Sequence, residues 1–216
     1  MQGDQAMSTE PFDFEAGALC LDFANTVAWH ASEQPEDRLD SYLDLVRWGE
    51  GAGILTPGRA AKLRQVAREE AGAAAAAFAE AVRLREALYR IFAAVADEDE
   101  VAGADLDLLN DHLARALSHL KVVPAAPAFS WAWQERSHDL HQILWPVARS
   151  AANLLTGDRD TLDRVGQCAD DRGCGYLFVD SSRNRSRRWC SMESCGNRAK
   201  VHRHYLRQRE EQDHNR

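Results

Sequence analysis

The chain has 216 residues, 45% of them hydrophobic and 28% charged, an ordinary composition for a soluble protein with room for one large or two modest cores. No apolar run approaches the roughly 20 residues of a membrane span. The opening MQGDQAMSTEPFDFE lacks the basic start and apolar core of a secretory leader, so a cytoplasmic protein with no membrane contact is expected. The net charge of −8 alone argues against nucleic acid, but between Arg172 and Arg209 ten basic residues face only two acidic ones. An acidic body with a basic C-terminal piece suggests two parts with different tasks.

In chain order, residues 1–16 read as a flexible N-terminus. Gly17–Ala28, GALCLDFANTVA, alternates Leu19, Leu21 and Phe23 with Cys20 and Asp22. That is a short strand or the start of a helix, with Cys20 a core residue. His30–Asp40 is a polar loop. In Ser41–Leu55, Tyr42, Leu45, Val46 and Trp48 recur at helical spacing behind an N-cap at Asp40 or Ser41, and Gly49, Gly51 and Gly53 end the helix. Those glycines follow a helix, with no Lys-Ser/Thr after them, so a phosphate loop is not expected.

Thr56-Pro57 supplies an N-cap and a first-turn proline for the Ala-rich helical stretches Gly58–Ala71 and Ala73–Ala96, broken near Gly72. Leu84, Leu88, Ile91, Phe92 and Val95 form the apolar face. Asp105–Ser118 is a further helix, and Lys121–Trp133 reads as a proline-interrupted hairpin. Ser137–Leu155 is a helix with Pro146 at a bend or in the first turn, and Asp158–Val165 a short helix. The expected fold class is mainly α. A helical domain with a few short strands covers residues 17–165, a small ββα-like unit covers 166–211, and 212–216 are a tail.

That small unit holds four of the five cysteines, Cys168, Cys174, Cys190 and Cys195, spaced Cys-x5-Cys-x15-Cys-x4-Cys. In a reducing compartment such a cluster is a metal site rather than a disulfide framework. Four thiolates satisfy tetrahedral zinc completely, as closed structural sites do. Gly173, Gly175 and Gly196 beside the cysteines allow tight turns. The unit has few apolar side chains, so a metal or docking is needed to hold it. Gly175–Asp180 reads as a strand, Arg187–Ser191 as its antiparallel partner, and Asn197–Glu211 as a terminal helix starting at Ser194 or Cys195, with Val201 and Tyr205 facing the metal core. His202 and His204, on the basic helix, read as surface residues or phosphate contacts rather than ligands.

The segment CGYLFVDSSRNRSRRWCSMESCGNRAKVHRHYLR, Cys174–Arg207, resembles the finger of the bacterial CGNR zinc-finger family, named for the tetrapeptide that is here Cys195-Gly196-Asn197-Arg198. The zinc-binding cysteines of that family correspond to Cys168, Cys174, Cys190 and Cys195. Upstream, Leu19–Val27 and Ser41–Leu55 look like the helical domain that accompanies this finger, described as a stress-induced transcription regulator. The resemblance covers nearly the whole chain, is most specific at the finger, and implies one structural zinc ion.

Arg183, Arg185, Arg187 and Arg188 sit on or beside the turn of the finger, and Arg198, Lys200, Arg203, Arg207 and Arg209 on its helix. Guanidinium groups suit phosphates and guanine edges, so DNA is the expected partner. About half of these residues are expected to serve structure instead, through pairing of Arg187 and Arg188 with Asp170, Asp171 or Asp180, and through turns capped by Asn197 and Arg198. The function this supports is a zinc-dependent DNA-binding transcription regulator whose helical domain senses a small-molecule effector or forms a homodimer. The alternative is a finger for RNA or protein.

No enzyme is expected. The metalloprotease and deaminase metal patterns are absent. His138 and His141 fall three apart on one helical face without an evident third ligand. Trp29, Trp48, Trp131, Trp133 and Trp145 line a ligand pocket or, more simply, the core.

Overall fold

The structure, a computed structural model, describes residues 12–134, 138–202 and 205. α1 (Leu19–Ala24) settles the opening segment as a helix, with Cys20, Leu21, Phe23 and Ala24 buried. A short antiparallel pairing of β1 (Val27–Ala28) with β2 (Glu36–Asp37) follows. α2 (Tyr42–Gly51) begins where Ser41 Oγ accepts from the Asp44 N–H and donates to Asp44 Oδ2. α3 (Pro57–Glu69) begins where Thr56 accepts from the Arg59 N–H, with Pro57 in the first turn. Both starts follow from capping chemistry.

α4 (Ala71–Ala96) is the central helix, burying Ala74, Ala77, Ala81, Leu84, Leu88 and Ile91 at three- and four-residue intervals. The break before it lies at Glu70 (φ −123°, ψ 56°), not at Gly72, which sits exposed in the first turn of α4 where the flanking alanines sustain the helix. α5 (Gly103–Leu117) packs against α4 and α6 (Leu144–Thr156), and α1 against α4 and α6. Between α5 and α6 stands the hairpin of β3 (Leu120–Ala125) and β4 (Ala128–Trp133), which exposes Val122, Phe129 and Trp131.

The helix read from Ser137, itself outside the described residues, starts instead at Leu144, which leaves Pro146 in its first turn. Asp139 Oδ1 accepts from the His141 N–H and folds this stretch into turns that compete with the helix. His138 and His141 therefore share no helical face.

After α7 (Arg159–Leu162) come β5 (Val165–Gln167) and β6 (Leu177–Val179), antiparallel with Val165 opposite Val179 and Gln167 opposite Leu177. The strand read in Gly175–Asp180 is present, but its partner is β5 rather than Arg187–Ser191. The latter segment runs as an irregular chain, tied by the Ala169 N–H to Arg188 O and by the Arg187 N–H to Asp180 Oδ2.

The free edge of β6 is covered by the body. Asn25 Nδ2 donates to Leu177 O (2.8 Å) and Asn25 Oδ1 accepts from the Leu177 N–H (2.9 Å), so one side chain imitates a neighbouring strand. One residue pair along, the Val179 N–H donates to Ala16 O at 2.7 Å. Val165 and Leu177 lie in the same apolar cluster as Leu21, Phe23, Leu84 and Leu88. The finger is thus docked on the helices through backbone-edge hydrogen bonds and shared core. Among the described residues no helix is long and apolar enough to cross a membrane.

Candidate metal centre

The four cysteines arrive on separate pieces of chain. Cys168 follows β5, and its N–H donates to Tyr176 O, which closes the loop that carries Cys174. Gly173 and Gly175 on that loop have φ of +83° and +69°, a left-handed conformation that glycine adopts without strain. Cys190 lies in the irregular segment. Cys195 lies in a wide π-type turn, Met192–Gly196, which starts at Ser191, where Oγ accepts from the Glu193 N–H, and not at Ser194 or Cys195. Residues 197–202 continue from it as α-helix.

All four sulfur atoms lie within 4.8 Å of one another, with Cys174–Cys190 at 3.8 Å and Cys190–Cys195 at 3.4 Å. A zinc ion with Zn–S bonds near 2.3 Å sets tetrahedral S···S edges of roughly 3.8 Å, so the donor set fits one such ion. The electrostatics agree. Hydrogen bonds from the Cys174 and Cys190 thiols hold Cys168 down, while Cys174 and Cys190 are pushed up first by their hydrogen bonds to Cys168 and Cys195 is raised chiefly by burial. So crowded a set ionises in full only around a cation.

A charged layer surrounds the sulfurs. Arg198 Nη2 donates to Cys195 Sγ at 2.8 Å and to Asp170 Oδ2 at 3.2 Å. Arg172 Nε also donates to Asp170, at 3.3 Å. Burial pushes the Asp170 carboxyl up, but the hydrogen bonds from Arg172 and Arg198 outweigh it and leave the group at about 2. Arg172 and Arg198 both stand over the Trp29 ring, at 5.3 and 4.9 Å. Arg187 lies over Phe178 at 4.3 Å and donates to Cys190 O at 2.6 Å. A cleft of about 380 Å³ opens between finger and body, with Trp29, Arg38, Tyr176 and Arg198 in its walls.

The other basic residues point elsewhere. Arg183, Arg188 and Lys200 are exposed; Arg185 is exposed and ion-paired with Asp160. Arg188 takes no acidic partner from Asp170, Asp171 or Asp180 among the described residues; its guanidinium lies over Trp189. Arg203, Arg207 and Arg209, with His204, lie outside the described residues. His202 pairs with Asp171 at 3.6 Å, away from the sulfur cluster. Val201 and Tyr205 do not face the metal core: they are 70% and 58% exposed. Trp48 and Trp145 are core residues, and Trp131 is exposed on the hairpin. Sequence reasoning missed Asp170 as a buried anchor and Trp29 as the point where the body meets the knuckle. Asp170 was expected to pair with Arg187 or Arg188, and pairs with Arg172 and Arg198 instead.

Among curated proteins none matches the chain. Two family descriptions do match it. Residues 17–158 match the family described as "Putative stress-induced transcription regulator", and residues 164–208 match the CGNR zinc finger. Two matches that adjoin take in both the helical body and all four converging cysteines: the chain belongs to the family described as "Putative stress-induced transcription regulator" and carries a CGNR zinc finger.

Proposed function

We propose that this chain is a zinc-dependent, DNA-binding transcription regulator and not an enzyme. The observation that carries the reading is the segregation of charge. Arg183, Arg188 and Lys200 are exposed on the finger, as is Arg185 in its pair with Asp160, in a chain whose net charge is −8. Such a surface suits phosphates, and the scaffold holds it in place without spending these side chains on the core. Four cysteine donors complete zinc coordination and leave no position for a substrate, which supports a structural rather than a catalytic metal. The helical body senses an effector or forms a homodimer; the cleft between Trp29, Arg38 and Arg198 supports effector binding, because a ligand there would touch body and finger together.

The test is mobility shift of duplex genomic fragments against RNA of equal length, from 50 to 200 mM salt. Log affinity for duplex DNA should fall linearly with log salt, by about 0.9 per phosphate contacted. Arg183→Gln and Lys200→Gln should each lower that slope by about 1. Equal affinity for RNA would favour the alternative, an RNA-binding finger. Binding that is absent or indifferent to salt would overturn the proposal.

A further inference from the structure

Arg198 occupies a position unlike that of the other arginines of the finger. One guanidinium makes three contacts of different kinds. It donates to the sulfur of Cys195, it donates to the carboxylate of Asp170, and it lies over the ring of Trp29. Asp170 is buried, with a side chain 2% exposed, and stands two residues after Cys168. Trp29 belongs to the helical body and adopts φ +56°, an uncommon conformation for a residue with a side chain. Backbone of this kind persists only where its surroundings over-determine it. Here Trp29 O accepts from the Ser32 N–H at 2.9 Å, and Arg172 and Arg198 cover the indole.

The loop after Trp29 also abuts the metal knuckle. A β-carbon on Gly173 would meet Ser32 backbone at 2.7 Å, and one on Gly175 would meet the Ala31 nitrogen at 2.7 Å and the Tyr89 hydroxyl at 2.6 Å. At both glycines the finger backbone runs close enough to the body that a side chain would collide.

We infer that Arg198 is a positioning residue that couples metal occupancy to docking of the finger on the helical body through Trp29, and is not a nucleic-acid contact. A thiolate on zinc keeps lone pairs that accept hydrogen bonds, and partners of ligating groups orient them and tune affinity. Arg198 supplies such a partner to Cys195. Asp170 fixes the same guanidinium relative to Cys168, so one side chain spans the first and the last cysteine of the cluster. Trp29 then reads the position of that guanidinium from the body. Displacement of the knuckle on metal loss withdraws the cation from the indole, and disruption of the indole contact loosens the knuckle. Coupling of this kind is reciprocal.

The experiment is zinc affinity of the full chain by competition with a chromogenic chelator, with tryptophan emission followed in parallel. Arg198→Gln should weaken zinc binding about 10- to 100-fold. Arg198→Lys, which keeps the charge without the planar fork, should recover only part of the loss. Trp29→Leu, outside the finger altogether, should weaken zinc as well, and the double variant should lose less than the product of the two single losses. The zinc-dependent change in emission should shrink in Trp29→Phe. Unchanged zinc affinity in Trp29→Leu would overturn the coupling, and it remains decisive if Arg198→Gln fails to fold. Unchanged zinc affinity in Arg198→Gln with lost DNA retention at saturating zinc would make Arg198 a DNA contact and overturn the assignment. These readouts use no DNA until the last arm, so they stand apart from the test of DNA binding.

Discussion

Asn25→Ala removes the side chain that closes the outer edge of β6. Asn25 is 7% exposed and makes two hydrogen bonds to Leu177, at 2.8 and 2.9 Å, one to each backbone group. Leu177 is fully buried, so water does not readily replace the amide. Each buried peptide group left without a partner costs about 1–3 kcal/mol, which puts the loss at about 2–6 kcal/mol. The damage should centre on the seam, because Asn25 follows α1 on the body while Leu177 lies in the finger. Asn25→Asp keeps the acceptor for the Leu177 N–H but presents oxygen to Leu177 O, and should lose nearly as much. Urea unfolding of the zinc-loaded chain measures the first quantity, and limited proteolysis between residues 180 and 191 measures the second. A loss below about 1 kcal/mol in Asn25→Ala, with unchanged cleavage, would refute the view that side-chain mimicry of a strand holds the finger on the body.

Two more outcomes follow from buried groups at other points of the chain. His112 is 5% exposed, its Nε2 has no partner among the described residues, and burial, helped by Arg115, lowers it to about 4. A histidine depressed from 6.5 to about 4 takes up its proton more readily unfolded, so stability should fall by about 3 kcal/mol as pH drops between those values and level off below. His112→Gln should flatten that fall in urea midpoints measured against pH; the same slope in both proteins would contradict it. Gly175→Ala should destabilise the seam by at least about 1–2 kcal/mol, since φ of +69° opposes a side chain and the new methyl meets the Tyr89 hydroxyl. Thermal unfolding checks this, and a neutral effect would mean that the knuckle does not press on the body.

The legible parts of the chain were those with local chemistry. Ser41 and Thr56 announce helices because a hydroxyl satisfies an amide three residues on, and both do so. The four cysteines announce a metal because few other roles gather four thiols in a reducing compartment, and their sulfurs converge. What the sequence hid was long-range. Asn25 and Leu177 are 152 positions apart, and nothing near either residue marks the pairing. Val165–Gln167 has one strongly apolar residue and reads poorly as a strand; it pairs with Leu177–Val179 because the outer edge of that strand is already taken by the body. The basic residues of the finger are alike in the sequence and differ only in surroundings. Arg187 reaches Phe178 and Cys190, Arg198 reaches Asp170 and Cys195, and Arg183 remains exposed. His138 and His141 miss a common face because a single aspartate at 139 turns the chain first.

The most direct test of the account is metal content of protein purified without added metal, for the natural chain and for Cys190→Ser. Cys190 lies 3.8 Å from Cys174 and 3.4 Å from Cys195, so its loss opens the sulfur cluster on two sides. The account predicts about one zinc per chain in the natural protein, as a closed four-thiolate site binds. It predicts loss of that zinc in Cys190→Ser, together with protease resistance of the C-terminal piece. Freshly reduced natural protein without zinc, or zinc retained in Cys190→Ser, would contradict it.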